Sequence, residues 1–120
     1  MALIKAAWRD HYGSPDVVYV RELPKPKPAA GELLLRVRAA SVNRADLDGL
    51  YPRWGFIKLF TGLRAPRERY KPLGIDLAGT VEAVGEGVTA FRPGDDVFGD
   101  ISGFGAGAFA EYVCLSLIHI

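Results

Sequence analysis

Two short clusters hold the side chains in this chain best suited to chemistry: Asn43-Arg44-Ala45-Asp46 and Gly74-Ile75-Asp76. An amide donates and accepts hydrogen bonds at once, while a carboxylate accepts them and holds or takes a proton. At the entrance of a helix the Asn43 side chain suits a cap on backbone N–H groups, and on spacing alone that reading leads. Asp46 falls in the first turn, where the helix dipole favours an acid. Metal chemistry has little to work with. His11 and His119 are the only histidines and Cys114 the only cysteine, so no zinc or other transition-metal site is expected.

Gly85-Glu86-Gly87-Val88-Thr89-Ala90 satisfies the spacing of the dinucleotide fingerprint and follows an apolar run. The fingerprint needs a helix next, because the pyrophosphate sits on that helix's N-terminus. Here Pro93-Gly94 ends a helix before it starts, so the match reads as a hairpin turn. Gly103-Phe104-Gly105-Ala106-Gly107 fails in the same way, since a strand pattern follows it. Between these clusters, Phe56 with Phe60 and Leu59 with Leu63 share a helical spacing, with Trp54 and Ile57 nearby. That face suits the apolar wall or lid of a substrate site, or packing against another domain or a partner. A membrane-surface role ranks below both, because the stretch is short.

The elements that must position these groups read as β. Leu3 to Trp8 is a short apolar run, and Gly13-Ser14-Pro15-Asp16 turns the chain into a strand at 17–21. Leu23-Pro24-Lys25-Pro26-Lys27-Pro28 is excluded from helix and inner strand and is expected to cross the surface extended. From Glu32 to Ala40 the pattern alternates, with Leu33, Leu35, Val37 and Ala39 on one face and Leu34, Arg36 and Arg38 on the other. Leu77 to Val84 suits an interior strand, and residues 96–98 and 108–114 complete the set. Helix is expected at 44–50 and 54–63 only. Nine of the fourteen glycines lie between Gly74 and Gly107, and short strands divided by Gly and Pro turns indicate a small barrel or sandwich.

The chain has 120 residues, 49% of them hydrophobic, enough for one domain with a real core. Its net charge of +1 gives no global attraction to nucleic acid or anionic membrane. Six basic residues between Arg53 and Lys71, against seven acidic ones between Asp76 and Glu111, read first as solvated faces. Without a signal-like N-terminus or a long apolar run, and with one thiol, the expectation is a soluble, cytoplasmic protein.

Ser41-Val42-Asn43-Arg44-Ala45-Asp46, then Gly74-Ile75-Asp76-Leu77-Ala78-Gly79-Thr80-Val81-Glu82-Ala83-Val84-Gly85, are followed by Arg92-Pro93-Gly94-Asp95-Asp96-Val97-Phe98-Gly99 and Gly107-Ala108-Phe109-Ala110-Glu111-Tyr112. In this order and spacing the chain resembles the N-terminal domain of the medium-chain dehydrogenases/reductases, from Leu3 to about Cys114. The resemblance implies a GroES-like, partly open β-barrel over residues 1–114. In that family's zinc alcohol dehydrogenases a Cys stands at the place of Asn43 and a His at the place of Ile75. An amide and a branched alkyl group do not replace a thiolate and an imidazole on tetrahedral zinc. The zinc-free branch, typified by quinone oxidoreductases, is therefore the one implied. The four-Cys structural zinc run of the family is missing from residues 99–107 as well.

The resemblance further implies a catalytic set of Asn43, Asp46 and Tyr51, with Asn43 also lying against the nicotinamide of NADPH. Asp46 would orient its neighbours, and Tyr51 would supply a hydroxyl that relatives carry nearer to Asp48. Trp54, Phe56 and Phe60 would line the substrate site, and Asp76 would pair with a cation in the cleft. The implied acceptor is a quinone, an enone or a related carbonyl compound, with no nucleic-acid or membrane partner and a homodimer in the full-length protein. Residues 115–120 do not continue the family pattern and are expected to be a non-native tail, and the nucleotide-binding domain is expected to lie outside this chain. Two alternatives stay open. One is an alcohol dehydrogenase with an unusual metal site, and the other a non-catalytic barrel acting as a scaffold or assembly module.

Overall fold

The computed structural model describes residues 2–43, 46, 50, 65–66, 71–101 and 107–116. Among these, β1 (Leu3–Trp8) sends Ile4, Ala6 and Trp8 inward and leaves Leu3 exposed, the alternation of a strand with one covered face. The strand expected at 17–21 starts later, because Pro15–Val17 is drawn into a short 3-10 turn. Pro15 opens that turn and the Ser14 side chain, accepting the Asp16 N–H, caps it. β2 therefore runs Tyr19–Pro24, antiparallel to β1, with Leu3 opposite Pro24 and Trp8 opposite Tyr19. Pro24 is tolerated because it closes an edge strand.

The second sheet is built from β3 (Glu32–Ser41), β4 (Asp76–Val84), β5 (Asp96–Asp100) and β6 (Tyr112–Ser116), in the order β5-β4-β3-β6 with every neighbouring pair antiparallel. Neither sheet closes on itself, and the bridges Ala6 to Ala110 and Trp8 to Pro72 tie one to the other. This is the mainly β, partly open arrangement that the sequence resemblance implies. No helix among the described residues is long and apolar enough to cross a membrane.

Leu33, Leu35, Leu77, Val81, Ile101, Ala108 and Leu115 pack into one core cluster. Leu33, Leu35 and Val81 are each 1% exposed; burying a side chain of this size stabilises the fold by about 2 kcal/mol. Leu34 departs from expectation. Its alternation assigns it to the face of Arg36 and Arg38, yet it is buried at 4% exposure. The proline segment accounts for this, since Pro26 and Pro28 lie over that face and line a cavity with Leu34 and Ala83. The strand expected at 108–114 is also displaced. Residues 107–110 instead cross between the sheets, with Phe109 N–H donating to Leu73 O at 2.9 Å and Ala7 N–H donating to Phe109 O at 2.8 Å. β6 then extends through Leu115 and Ser116, which the sequence pattern leaves out of the fold. They pair with Leu33 and Glu32, and Leu115 fills core.

The glycine fingerprint is a turn. After β4, Gly85 N–H donates to Glu32 O at 2.8 Å, and Glu86 O accepts Gly31 N–H at 2.9 Å. A Cβ on Gly85 would stand 1.8 Å from Ala29 O, so the glycine serves chain against chain and leaves no room for a phosphate. No helix follows. Residues 92–95 turn, with the Asp95 carboxylate accepting Arg92 N–H at 2.9 Å, and lead into β5. Of the two helix candidates, Asp46 and Leu50 are described, both with helical backbone. The candidate at 54–63 lies outside the described residues.

Candidate functional site

β3 ends at Ser41, which faces Asp76, the first residue of β4. Two residues beyond that ladder, the chain brings Asn43 alongside the same carboxylate, and Asn43 Nδ2 donates to Asp76 Oδ2 at 2.6 Å. An acceptor oxygen at this distance fixes the amide's orientation, because only the NH2 end can face it. The backbone of Asn43 is held separately. Its N–H donates to Asp46 Oδ2 at 2.8 Å, while its carbonyl accepts Asp46 N–H at 3.1 Å. An acid three residues into a helix, reaching back to the N-terminal N–H, is the returning half of a capping box. The capping and cleft readings of Asn43 are thus divided between two groups. Asp46 caps the Asn43 backbone, and the Asn43 amide is turned to β4.

Asp46 is 9% exposed, one of the few buried polar groups, and its burial is matched by that bond. Asp76 is half-buried, and among the described residues its carboxylate meets the Asn43 amide at hydrogen-bond distance, where pairing with a cation was expected. The signal for this pairing lies in the topology: an acid opening β4 must stand beside whatever follows the end of antiparallel β3.

The approach to Asp76 is stapled from both sides. Gly74 has φ +97°, and a Cβ there would lie 2.7 Å from the backbone N of Phe109, so only glycine fits. Its carbonyl accepts the N–H groups of Gly107 and Ala108 at 2.9 and 3.1 Å, and Ile75 O accepts Ile101 N–H at 2.6 Å. Ile75 itself is half-buried, as a wall residue should be.

Beside the pair lies a groove of about 290 Å³ lined by Ala39, Ala40, Ser41, Asp76, Leu77 and Ala78. Small side chains leave this end of the sheet open to a flat ligand. A second cavity of about 260 Å³ is lined by core residues such as Leu33, Leu35, Phe91 and Leu115, with Asp96 and Asp100 as its acids. It is apolar and distant in character from the polar pair. Tyr51, Trp54, Phe56 and Phe60, the remaining residues expected at the site, lie outside the described residues, as does Asp48. Among the described residues no group of three or more His, Cys, Asp or Glu is arranged to hold a metal ion. Cys114 is half-buried, and burial pushes its thiol up to about 11, the state of an inert thiol.

Two of the described features bear on whether a dinucleotide fits. The Gly85 turn is filled by the Ala29 carbonyl and cannot cradle a pyrophosphate, whereas the Asn43 amide beside a groove of small residues suits the planar amide end of a nicotinamide.

Residues 29–119 match the family model for the alcohol dehydrogenase GroES-like domain. The quinone oxidoreductase of Lama guanicoe is 36% identical over 111 residues, which take in 92% of this chain and 30% of that protein. Among solved structures, the quinone oxidoreductase of Coxiella burnetii superposes with a TM-score of 0.77 at 29% identity, covering 97% of this chain and 35% of the other. The Escherichia coli quinone oxidoreductase, solved with NADPH, gives a TM-score of 0.73 at 26% identity, covering 93% and 31%. The chain therefore spans about a third of the length of these relatives.

Proposed function

Since the chain belongs to the alcohol dehydrogenase GroES-like domain family, as a domain of the medium-chain dehydrogenase/reductase type, we propose that it forms the acceptor-side part of a zinc-independent, NADPH-dependent oxidoreductase. The acceptor is a quinone, an enone or a related carbonyl compound. The observation that carries this reading is the Asn43 amide, anchored by Asp76 at 2.6 Å beside a groove of small residues. The similarity to quinone oxidoreductases, one of them solved with NADPH, supports the choice of reaction. The donor set supports zinc independence, because an amide and a sec-butyl side chain at positions 43 and 75 are poor ligands for that metal.

When bound, NADPH supplies the hydride. The chain's own residues then have three tasks. The groove lined by Ala39, Ala40 and Ala78 receives a flat group. The Asn43 amide hydrogen-bonds the bound group and fixes its attitude, the positional part of catalysis. The Tyr51 hydroxyl, with Asn43, donates to the acceptor carbonyl as electron density collects on its oxygen, work that a Lewis-acid metal does elsewhere. Trp54, Phe56 and Phe60 form the apolar wall against the acceptor ring. The same reading makes the whole protein a cytoplasmic homodimer with small-molecule substrates and no nucleic-acid or membrane partner.

The test is NADPH oxidation by the full-length protein against a panel of quinones and enones, with elemental analysis of the purified enzyme. Turnover without stoichiometric zinc is the expected result, and Asn43→Ala is expected to lower kcat/KM about 10- to 100-fold. A stable oligomer that neither binds nor oxidises NADPH would replace this reading with the scaffold one. Zinc at one equivalent, whose removal abolishes turnover, would replace it with the metal-dependent one.

A further inference from the structure

We propose that Asp76 is the positioning residue of this site: its carboxylate takes one N–H of the Asn43 amide and thereby decides which atoms of that amide a ligand meets. The inference rests on the reading of Asn43 given above. An asparagine side chain at the end of a strand has two nearly equivalent orientations, related by a half-turn of the amide, and they exchange donor for acceptor at every point of contact. A site that must hold a polar ligand in one attitude has to remove that choice. Here the removal is geometric. Asp76 Oδ2 stands 2.6 Å from Nδ2, and a half-turn would place the amide oxygen against the carboxylate oxygen, two acceptors facing each other.

Each end of the pair is fixed by bonds independent of the other. Asn43 is gripped through its backbone by Asp46, at 2.8 Å from its N–H and 3.1 Å to its carbonyl. Asp76 is fixed by its place in the ladder, opposite Ser41 on one side and Asp100 on the other, and by the Gly74 and Ile75 carbonyls just before it. Because each residue is also held by bonds of its own, the bond between them serves to orient the amide. The electronic consequence runs the same way. A carboxylate drawing on one N–H makes the amide oxygen a stronger acceptor and the second N–H a weaker donor. The Asn43 amide oxygen is therefore strengthened as an acceptor for its ligand, and of the two donors to an acceptor carbonyl the Tyr51 hydroxyl is stronger than the remaining Asn43 N–H.

The test is a double-mutant cycle in the full-length enzyme, using Asn43→Ala, Asp76→Ala and both together, with kcat and KM separated and Tm recorded for each. Asp76→Ala is expected to lower kcat/KM about tenfold in the wild-type background and to have no further effect in the Asn43→Ala background. A full additional loss in that background would show that Asp76 acts independently of Asn43 and would overturn the proposal. So would an Asp76→Ala enzyme as active as wild type when Asn43→Ala is impaired. Asp76→Asn keeps the shape of the side chain and guards against misfolding, and Asp76→Glu is expected to rescue part of the loss by restoring the acceptor. The Asn43 side-chain amide resonances supply a readout independent of turnover. They are expected to be displaced and exchange-protected in wild type and to revert in Asp76→Ala. Reversion with an inactive panel would count against the oxidoreductase reading alone, whereas unmoved resonances would count against the Asp76 bond itself.

Discussion

The two halves of β3 live in different surroundings. From Glu32 to Arg36 the strand lies between β4 and β6, and Leu33, Leu34 and Leu35 are all buried. From Ala39 to Ser41 it pairs with β4 alone, and its residues are exposed. β6 makes the difference, since its register ends where Arg36 meets Tyr112. Within the covered half, Leu33 to Leu35 are apolar on both faces, because the core closes one and the proline segment closes the other. The open half carries small residues and ends in the Asn43–Asp76 pair. One strand thus serves stability at its start and, under the proposed function, recognition at its finish, with the β3–β4 ladder running along both halves through register shifts at Leu34/Leu35 and Val37/Ala39.

Truncating the covered half should have the largest effect. Leu35→Ala is expected to cost about 2–5 kcal/mol, because it leaves a cavity among neighbours that are already close-packed. Ala39→Ser, four residues along the same strand, is expected to stay within about 0.5 kcal/mol, because it meets solvent. Urea unfolding of both variants reads the contrast directly. Similar losses would mean that the open half carries as much packing as the covered one, and the division of labour would fail.

Gly74→Ala comes next and strikes the joint between core and site. The residue sits at φ +97°, and its new methyl would meet the Phe109 backbone at 2.7 Å. A destabilisation of about 1–3 kcal/mol is expected from the backbone alone. In the full-length enzyme kcat/KM should fall as well, since Asp76 lies two residues on. Lost stability with unchanged kcat/KM would show that the site is insulated from the staple that precedes it.

What the sequence made legible follows from the same division. β1, β3 and β4 were readable because alternation and apolar runs report burial directly, and the Gly85 turn was readable because Pro93-Gly94 forbids a helix. Leu34 was misplaced because the cover over its face comes from residues 24–28, and a period of two cannot record what a distant segment will cover. β2 and β6 shifted because Ser14 caps a 3-10 turn and because residues 107–110 are spent on bridging the sheets. At the site, the residue types were visible but their pairing was not. The Asn43–Asp76 bond spans 33 positions and exists only once β3 and β4 are in register. Asp46, three residues from Asn43, makes a local bond that helix-capping logic can foresee.

Asp46→Ala tests that local bond and should have a smaller effect on stability. Removing the acceptor leaves the Asn43 N–H without its capping carboxylate, at a cost of about 1 kcal/mol. The effect on kcat/KM should be smaller than that of Asn43→Ala, because the amide keeps its hold on Asp76. If Asp46→Ala were as damaging to turnover as Asn43→Ala with Tm little changed, Asp46 would have to act on the ligand directly.

The smallest expected effect probes the covered half through chemistry instead of packing. Cys114 of β6 pairs with Leu34 of β3, and burial raises its thiol to about 11, with the Glu32 charge adding to the shift. At pH 8 its alkylation by iodoacetamide is expected to run roughly a hundredfold slower in the folded chain than in urea, because the thiolate fraction is the reactive one. The linkage has a definite sign. The folded state holds the thiol proton more tightly than the unfolded state, so this group's contribution to stability is intact below the ordinary thiol range. It is lost as the pH rises from that range through about 11. Cys114→Ser should remove this alkaline loss while leaving the open half untouched. Alkylation of the folded chain at the unfolded rate would mean that β6 does not seal its side of β3, and the two halves of the strand would then differ only in residue size.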